Sequence, residues 1–178
     1  MPCHFPSQMQ FGDCIVKGQN INSHLSLDTC DNLFYLIAHT SFSVNSNSKE
    51  AGGAVHVNSR TRPFYLTNNF FDRCNATNSA CGAIYALCPI LIMNFTCFYR
   101  CLANTNYLVN TLSHDSTSGS DTLSCLDYVT MLQCPPEEIL SNIVFIDFAS
   151  KMSDMNINLS NCYFMSNAIE YCPASSCL

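Results

Sequence analysis

Ser113-His114-Asp115 strings together the three residue types of a hydrolytic triad. Such catalysis needs nucleophile, base and orienting acid to converge from separate elements, so three chain neighbours cannot form it. The tripeptide therefore reads as loop polarity. His4, His24, His39 and His56 show no spacing suited to a metal or to acid/base work. His56 alternates with Val55 and Val57 and is expected to face solvent. Glycan hydrolases and lyases cluster carboxylates for proton transfer or for calcium. Here the 13 acidic residues are scattered, and the close pairs, Asp28/Asp31 and Glu137-Glu138, read as loop residues. No catalytic residue, metal site or cofactor is assigned.

Sulfur is the other reactive element. Thirteen cysteines are an odd number, so at least one lacks an internal partner. No Cys-x-x-Cys occurs, which argues against a zinc ribbon or a thioredoxin-like redox site. The nearest pair is Cys97 and Cys101. Sequons at Asn75, Asn94 and Asn158 are no more than this Asn-, Ser- and Thr-rich composition supplies by chance, so they do not establish secretion.

Charge narrows the partners. Seven Lys and Arg against 13 Asp and Glu give a net charge of -6, with no basic stripe for a phosphate backbone, so no nucleic-acid partner is expected. The longest apolar run, Ala83 to Met93, is too short to span a membrane and contains Pro89; it reads as two short strands meeting at Cys88-Pro89. The start, MPCHFPSQMQ, has neither a basic n-region nor an apolar h-region, so no signal peptide is expected. Only 11% of residues are charged, and the polarity comes from 19 Asn, 21 Ser and 11 Thr, which favour turns and strands over helix.

The elements that must position these side chains are written in a repeat. An aromatic or Met residue is followed three positions later by Asn or Cys at Phe11/Cys14, Phe42/Asn45, Phe71/Cys74, Phe98/Cys101, Met131/Cys134 and Phe164/Asn167, in steps of 31, 29, 27, 33 and 33 residues. A second motif keeps the same phase. GGAV from Gly52 and CGAI from Cys81 lie 29 residues apart, and Gly53 and Gly82 each fall eight residues after Asn45 and Cys74. The Gly-lacking strings NSHLSL, VNTL and NIVFIDF continue the phase. A period near 30 with strand-like content implies a solenoid; a β-sandwich with regularly spaced strands is the alternative.

The expected fold is all-β: a right-handed parallel β-helix, a single-stranded solenoid of about six rungs covering residues 1–178 as one domain. Each rung holds about three strands, in the clearest unit near Ala54–Val57, Phe64–Thr67 and Phe70–Arg73. Polar insertions lie outside the coil, notably Ser113 to Ser124. Stacked rungs make ladders at the strand spacing of about 4.8 Å. Phe11, Phe42, Phe71, Phe98, Met131 and Phe164 form an apolar column. Cys14, Asn45, Cys74, Cys101, Cys134 and Asn167 form a second column at a bend, where Asn tolerates left-handed backbone and small Cys replaces it. Gly52, Gly53 and Gly82 allow a tight turn. Cys74 and Cys101 stand in disulfide range or remain a buried thiol ladder, with metal binding by Cys97, Cys101 and Cys74 a distant third reading.

The string GGAV, FDRC, CGAI, FYRC resembles the repeats of the polymorphic outer membrane protein family, whose units alternate a Gly-Gly-Ala-Ile start with Phe-x-x-Asn. The likeness carries both motifs from Phe42 to Cys101. It departs in having Cys for Asn in four of six units and both glycines at one start only. That family's right-handed parallel β-helices are displayed at the cell surface and linked to adhesion. The resemblance thus implies a non-enzymatic structural or adhesive rod, secreted or at the cell surface, with an unidentified protein or glycan partner. With the final EYCPASSCL, where Glu170 to Leu178 would begin a seventh rung, the chain is expected to be a fragment of a longer repeat protein or an unusual short member of such a family. The alternative is a carbohydrate-active β-helix that binds or cleaves a glycan along one sheet face.

Overall fold

The computed structural model describes residues 14–27, 33–43, 46–47, 52–59, 61–76, 81–103, 112–115, 123–132, 146–148 and 156–165. These residues are all-β, with no helix among them. Short runs of β-branched and aromatic residues, broken by Asn, Ser, Gly and Pro, make brief strands. The first pass of the chain gives β1 (Ile15–Lys17), β2 (Asn20–Ile21) and β3 (Leu25–Ser26). The second gives β4 (Tyr35–Ala38), β5 (Ser41–Ser43), β6 (Ser46–Asn47) and β7 (Val55–Asn58). The third repeats that pattern with β8 (Phe64–Thr67), β9 (Phe70–Asp72), β10 (Asn75–Ala76) and β11 (Ile84–Leu87). Next come β12 (Ile90–Tyr99), β13 (Leu102–Ala103) and β14 (Leu112–Asp115), then β15 (Leu123–Leu132) and β16 (Ile146–Phe148), and last β17 (Asn156–Ser160) and β18 (Tyr163–Met165).

Strands of successive passes lie side by side, and every pairing among the described residues is parallel. They form sheets of ten, five and three strands. The ten-stranded sheet is curled. Within one pass β8 and β9 are separate strands, yet the next pass covers both with the single strand β12, through Leu91–Asn94 on one side and Cys97–Tyr99 on the other. The result is solenoid-like.

The fold of this sheet is set by a row of left-handed residues. Gly18, His39, Asn68, Phe95, Tyr128 and Asn161 all have φ between 49° and 65°. Each lies three positions before a member of one in-register column: Ile21, Phe42, Phe71, Phe98, Met131 and Phe164. One left-handed residue turns the chain sharply without breaking the pairing on either side, so the corner recurs in every pass. A second corner carries Arg73 and Arg100, both near φ 52°.

The interior is lined by Ile37, Leu66, Val55, Val57, Phe64, Ile84, Leu91, Met93 and Leu126, each fully buried. The ten-stranded sheet is apolar on its other face too, where Leu36, Ala38, Tyr65, Ile92 and Cys125 form a second buried cluster flanked by Phe34 and Ile90. That explains the unbroken apolar runs YLIA and ILIM, the pattern of parallel strands covered on both faces.

Two expectations change. A full pass carries four strands, because Asn75–Ala76 adds the short third sheet between Ser46–Asn47 and Leu102–Ala103. Ser113 to Asp115 are not loop residues: β14 pairs Leu112 to Asp115 with Ile84 to Leu87 in sequence. Leu123 and Ser124 likewise open β15. Main-chain pairing to the neighbouring pass overrides local polarity here. The strings NSHLSL and NIVFIDF supply β3 and β16 of the five-stranded sheet, VNTL contributes only its Leu112 to β14, and Cys88-Pro89 separates β11 from β12.

Candidate functional site

The column around Phe71 is the best-defined constellation. Phe42, Phe71, Phe98 and Met131 are fully buried. The rings of Phe42 and Phe71 stack at 4.7 Å, 1° from parallel, and those of Phe71 and Phe98 at 4.8 Å and 13°. Parallel in-register pairing places like side chains one strand spacing apart, so identical rotamers stack face over face. Phe164 is the main-chain partner of Met131. Phe11 lies outside the described residues. The place before Phe42 belongs to Ile21, because the first pass advances 21 residues rather than 31.

The cysteines divide by environment. Cys74 and Cys101 are fully buried thiols, and neither is in a disulfide. Each donates to a carbonyl of the preceding pass: Cys74 Sγ to Phe42 O at 3.9 Å, Cys101 Sγ to Phe71 O at 3.4 Å. The left-handed residue at this bend is Arg73 or Arg100, one position earlier than the cysteine; the charged side chain turns outward and the small thiol fills the inside. Cys14 does not join them. Its carbonyl accepts from Leu36 N–H at the start of β4, and it is disulfide-bonded, as is Cys125. Asn45, Cys134 and Asn167 lie outside the described residues. A metal held by Cys97, Cys101 and Cys74 does not fit: Cys97 alternates with buried Phe98 and faces the opposite side of the strand. Among the described residues no three His, Cys, Asp or Glu side chains gather for a metal ion. Burial pushes the Cys88 thiol well above its ordinary pKa.

The glycines act at the second motif. Gly52 has φ 81°, and a Cβ there would overlap the Val55 carbonyl and sit 2.8 Å from Tyr85 N. A Cβ on Gly53 would overlap the carbonyl oxygens of Gly82 and Asn75. Gly53 N–H donates to the Cys81 carbonyl at 3.1 Å, so passes meet backbone to backbone at this turn.

Further groups escaped sequence reasoning. After the corners at His39, Asn68 and Phe95 the next residue turns inward as a buried polar group: Thr40, Asn69 and Thr96. Asn69 clamps two passes together, its Oδ1 accepting from Thr40 N–H at 3.1 Å and its Nδ2 donating to Ile37 O at 3.0 Å. The corner residues themselves are exposed. Phe95 and Tyr128 are 55% and 50% exposed and stack at 4.8 Å, 9° from parallel. Beside them, Asn161 Nδ2 donates to Asp127 Oδ1 at 2.9 Å. The available signal was the fixed place three residues ahead of the aromatic column. His56 is on the outer side of β7, between buried Val55 and Val57, its ring stacked on Tyr85 at 5.2 Å. Ser113 and Asp147 continue that register position in β14 and β16. Asp72 pairs with Arg73 at 2.8 Å in the other sheet. Asp147 thus has its strand position in a different sheet from Asp72 and Asp127.

No helix among the described residues is long and apolar enough to cross a membrane. Comparison with protein-family models, with curated protein sequences and with solved structures finds no match in any of the three.

Proposed function

We propose that this chain forms a right-handed parallel β-helix of about six rungs, acting as a non-enzymatic structural and adhesive rod at a cell surface, as the likeness to polymorphic outer membrane protein repeats implies. The observation that carries the reading is the face-over-face stack of Phe42, Phe71 and Phe98. A fold that grows by adding equivalent passes yields length, stiffness and repeated outward positions, which suit display. Disulfides at Cys14 and Cys125 fit an oxidising, extracellular setting. The partner is a protein or glycan surface, met by side chains and loops on the outside of the coil.

The test is retention of protein-coated beads on cell monolayers under flow, with the same beads scored for release of reducing ends from a polysaccharide panel. Saturable retention without reducing-end release is expected. Retention no better than that of beads carrying unfolded chain, or progressive depolymerisation, would refute the proposal.

A further inference from the structure

The left-handed corner holds six residues, and four of them suit that backbone: Gly18, His39, Asn68 and Asn161. Phe95 at φ 49° and Tyr128 at φ 52° do not; a bulky aromatic there is an outlier. Both are also half in water. Folding gains little from an exposed, conformationally strained pair where asparagine serves two neighbouring passes, and strain of this kind gathers at functional sites. We propose that Phe95 and Tyr128 form a docking ridge for a protein partner that presents an aromatic or aliphatic side chain beside a Lys or Arg. The proposal rests on the surface-rod reading and names its contact.

Three features select that partner. The facing sides of the two rings are used up on each other, so their edges point outward. Sugar rings pack on aromatic faces, whereas ring edges carry positive potential and meet an aromatic face in T-shaped contact. The surround is polar, with Thr67, Asn68 and Asn161, and exposed Phe70 is the strand partner of Cys97, two residues on from Phe95. An aromatic centre in a polar rim is the arrangement of interface hot spots. The rim's carboxylate, Asp127, and a net charge of -6 favour a cationic neighbour and oppose a second copy of the same chain.

The test uses the whole chain, a Phe95→Asn/Tyr128→Asn double variant and a His56→Ser/Tyr85→Ser control on the other sheet. Asparagine already occupies positions 68 and 161 of this corner, so the ridge variant is expected to melt with the wild type. The probe is a phage-displayed library of random linear peptides. Peptides enriched on wild type should pair an aromatic or aliphatic residue with Lys or Arg, bind the ridge variant at least about tenfold more weakly, and bind the control unchanged. Peptides indifferent to the ridge variant overturn the proposal. So does ridge-dependent binding to immobilised neutral oligosaccharide, which makes the partner a glycan, or ridge-dependent self-association in sedimentation, which makes it a second copy. In the bead assay, wild type and ridge variant retained equally sink the ridge alone; wild type not retained sinks the rod reading.

Discussion

Replacing Gly53 by alanine separates steric contact between passes from backbone conformation, the two usual reasons for a glycine. Gly53 has no left-handed backbone, so in an open site alanine would stabilise by about 0.4–1 kcal/mol through the unfolded chain. Its environment reverses the sign. The new Cβ overlaps the carbonyl oxygens of Gly82, in the adjoining pass, and Asn75. Both are main-chain atoms, so relief requires the passes to separate and strains the 3.1 Å hydrogen bond from Gly53 N–H to Cys81 O. Overpacking costs about 1–3 kcal/mol where side chains can adjust; with backbone on both sides the upper end applies, about 3 kcal/mol. Gly18 is the mirror case: φ is 65° and nothing lies within 4 Å of a Cβ. Alanine there meets only the left-handed penalty of about 1–2 kcal/mol, less the same unfolded-state gain.

Urea titrations followed by far-UV circular dichroism should therefore place Gly53→Ala well below Gly18→Ala in midpoint with an unchanged m-value. The thermal midpoint of Gly53→Ala should fall roughly 6–12 °C for a chain of this size. If Gly53→Ala proves no more costly than Gly18→Ala, the passes do not meet as closely as described, and the account of the Gly-Ala motif fails.

Other consequences are as direct. Phe71→Ala removes the ring that touches both Phe42 and Phe98 and should cost about 3–5 kcal/mol by urea titration, with Phe71→Leu losing clearly less. Asn69→Ala strands Thr40 N–H, at about 1–3 kcal/mol, and removes the side-chain donor to the Ile37 carbonyl, whereas Asn69→Thr, the residue found at positions 40 and 96, should be milder. Native-state labelling with a thiol reagent should modify half-buried Cys97 and Cys162 well before Cys74, Cys81, Cys88 and Cys101. Cys88 also gives a pH signature. Its thiol stays protonated in the fold while the unfolded chain ionises from about pH 9, so the unfolded state binds fewer protons and stability falls as pH rises above 9. The slope contributed is about 0.7 kcal/mol per pH unit at pH 9 and approaches about 1.4 by pH 10, and Cys88→Ala should flatten the profile over that interval, below the range where buried Tyr65 titrates.

The repeat was legible where stacking demands the same residue type in every pass. Phe42, Phe71 and Phe98 sit over one another, and Gly53 abuts Gly82, so aromatic and glycine spacings survive as a visible period. The first pass departs from the expectation built on Phe11 and Cys14, because Ile21, a half-buried aliphatic packed against the core, holds the place beside Phe42. Strand β14 hid in a polar string because a four-residue strand is defined by the pass it pairs with rather than by its own composition. The corner was missed for the opposite reason. Its residues share a backbone angle but not a side-chain type, running from glycine through histidine and asparagine to phenylalanine and tyrosine.

That last contrast bears on where function resides in a molecule of this kind. A residue repeated in every pass answers a constraint internal to the stack, and so says nothing about what the stack meets. Cys74 in place of asparagine stays within that constraint, since its thiol is buried and still reaches the preceding Phe42 carbonyl. Phe95 and Tyr128 do not stay within theirs. They sit in the phase, accept the left-handed backbone the corner imposes, and present apolar surface to water where Asn68 and Asn161 present amides. In a solenoid, departures that the stack does not need are the positions where something outside it has to be satisfied.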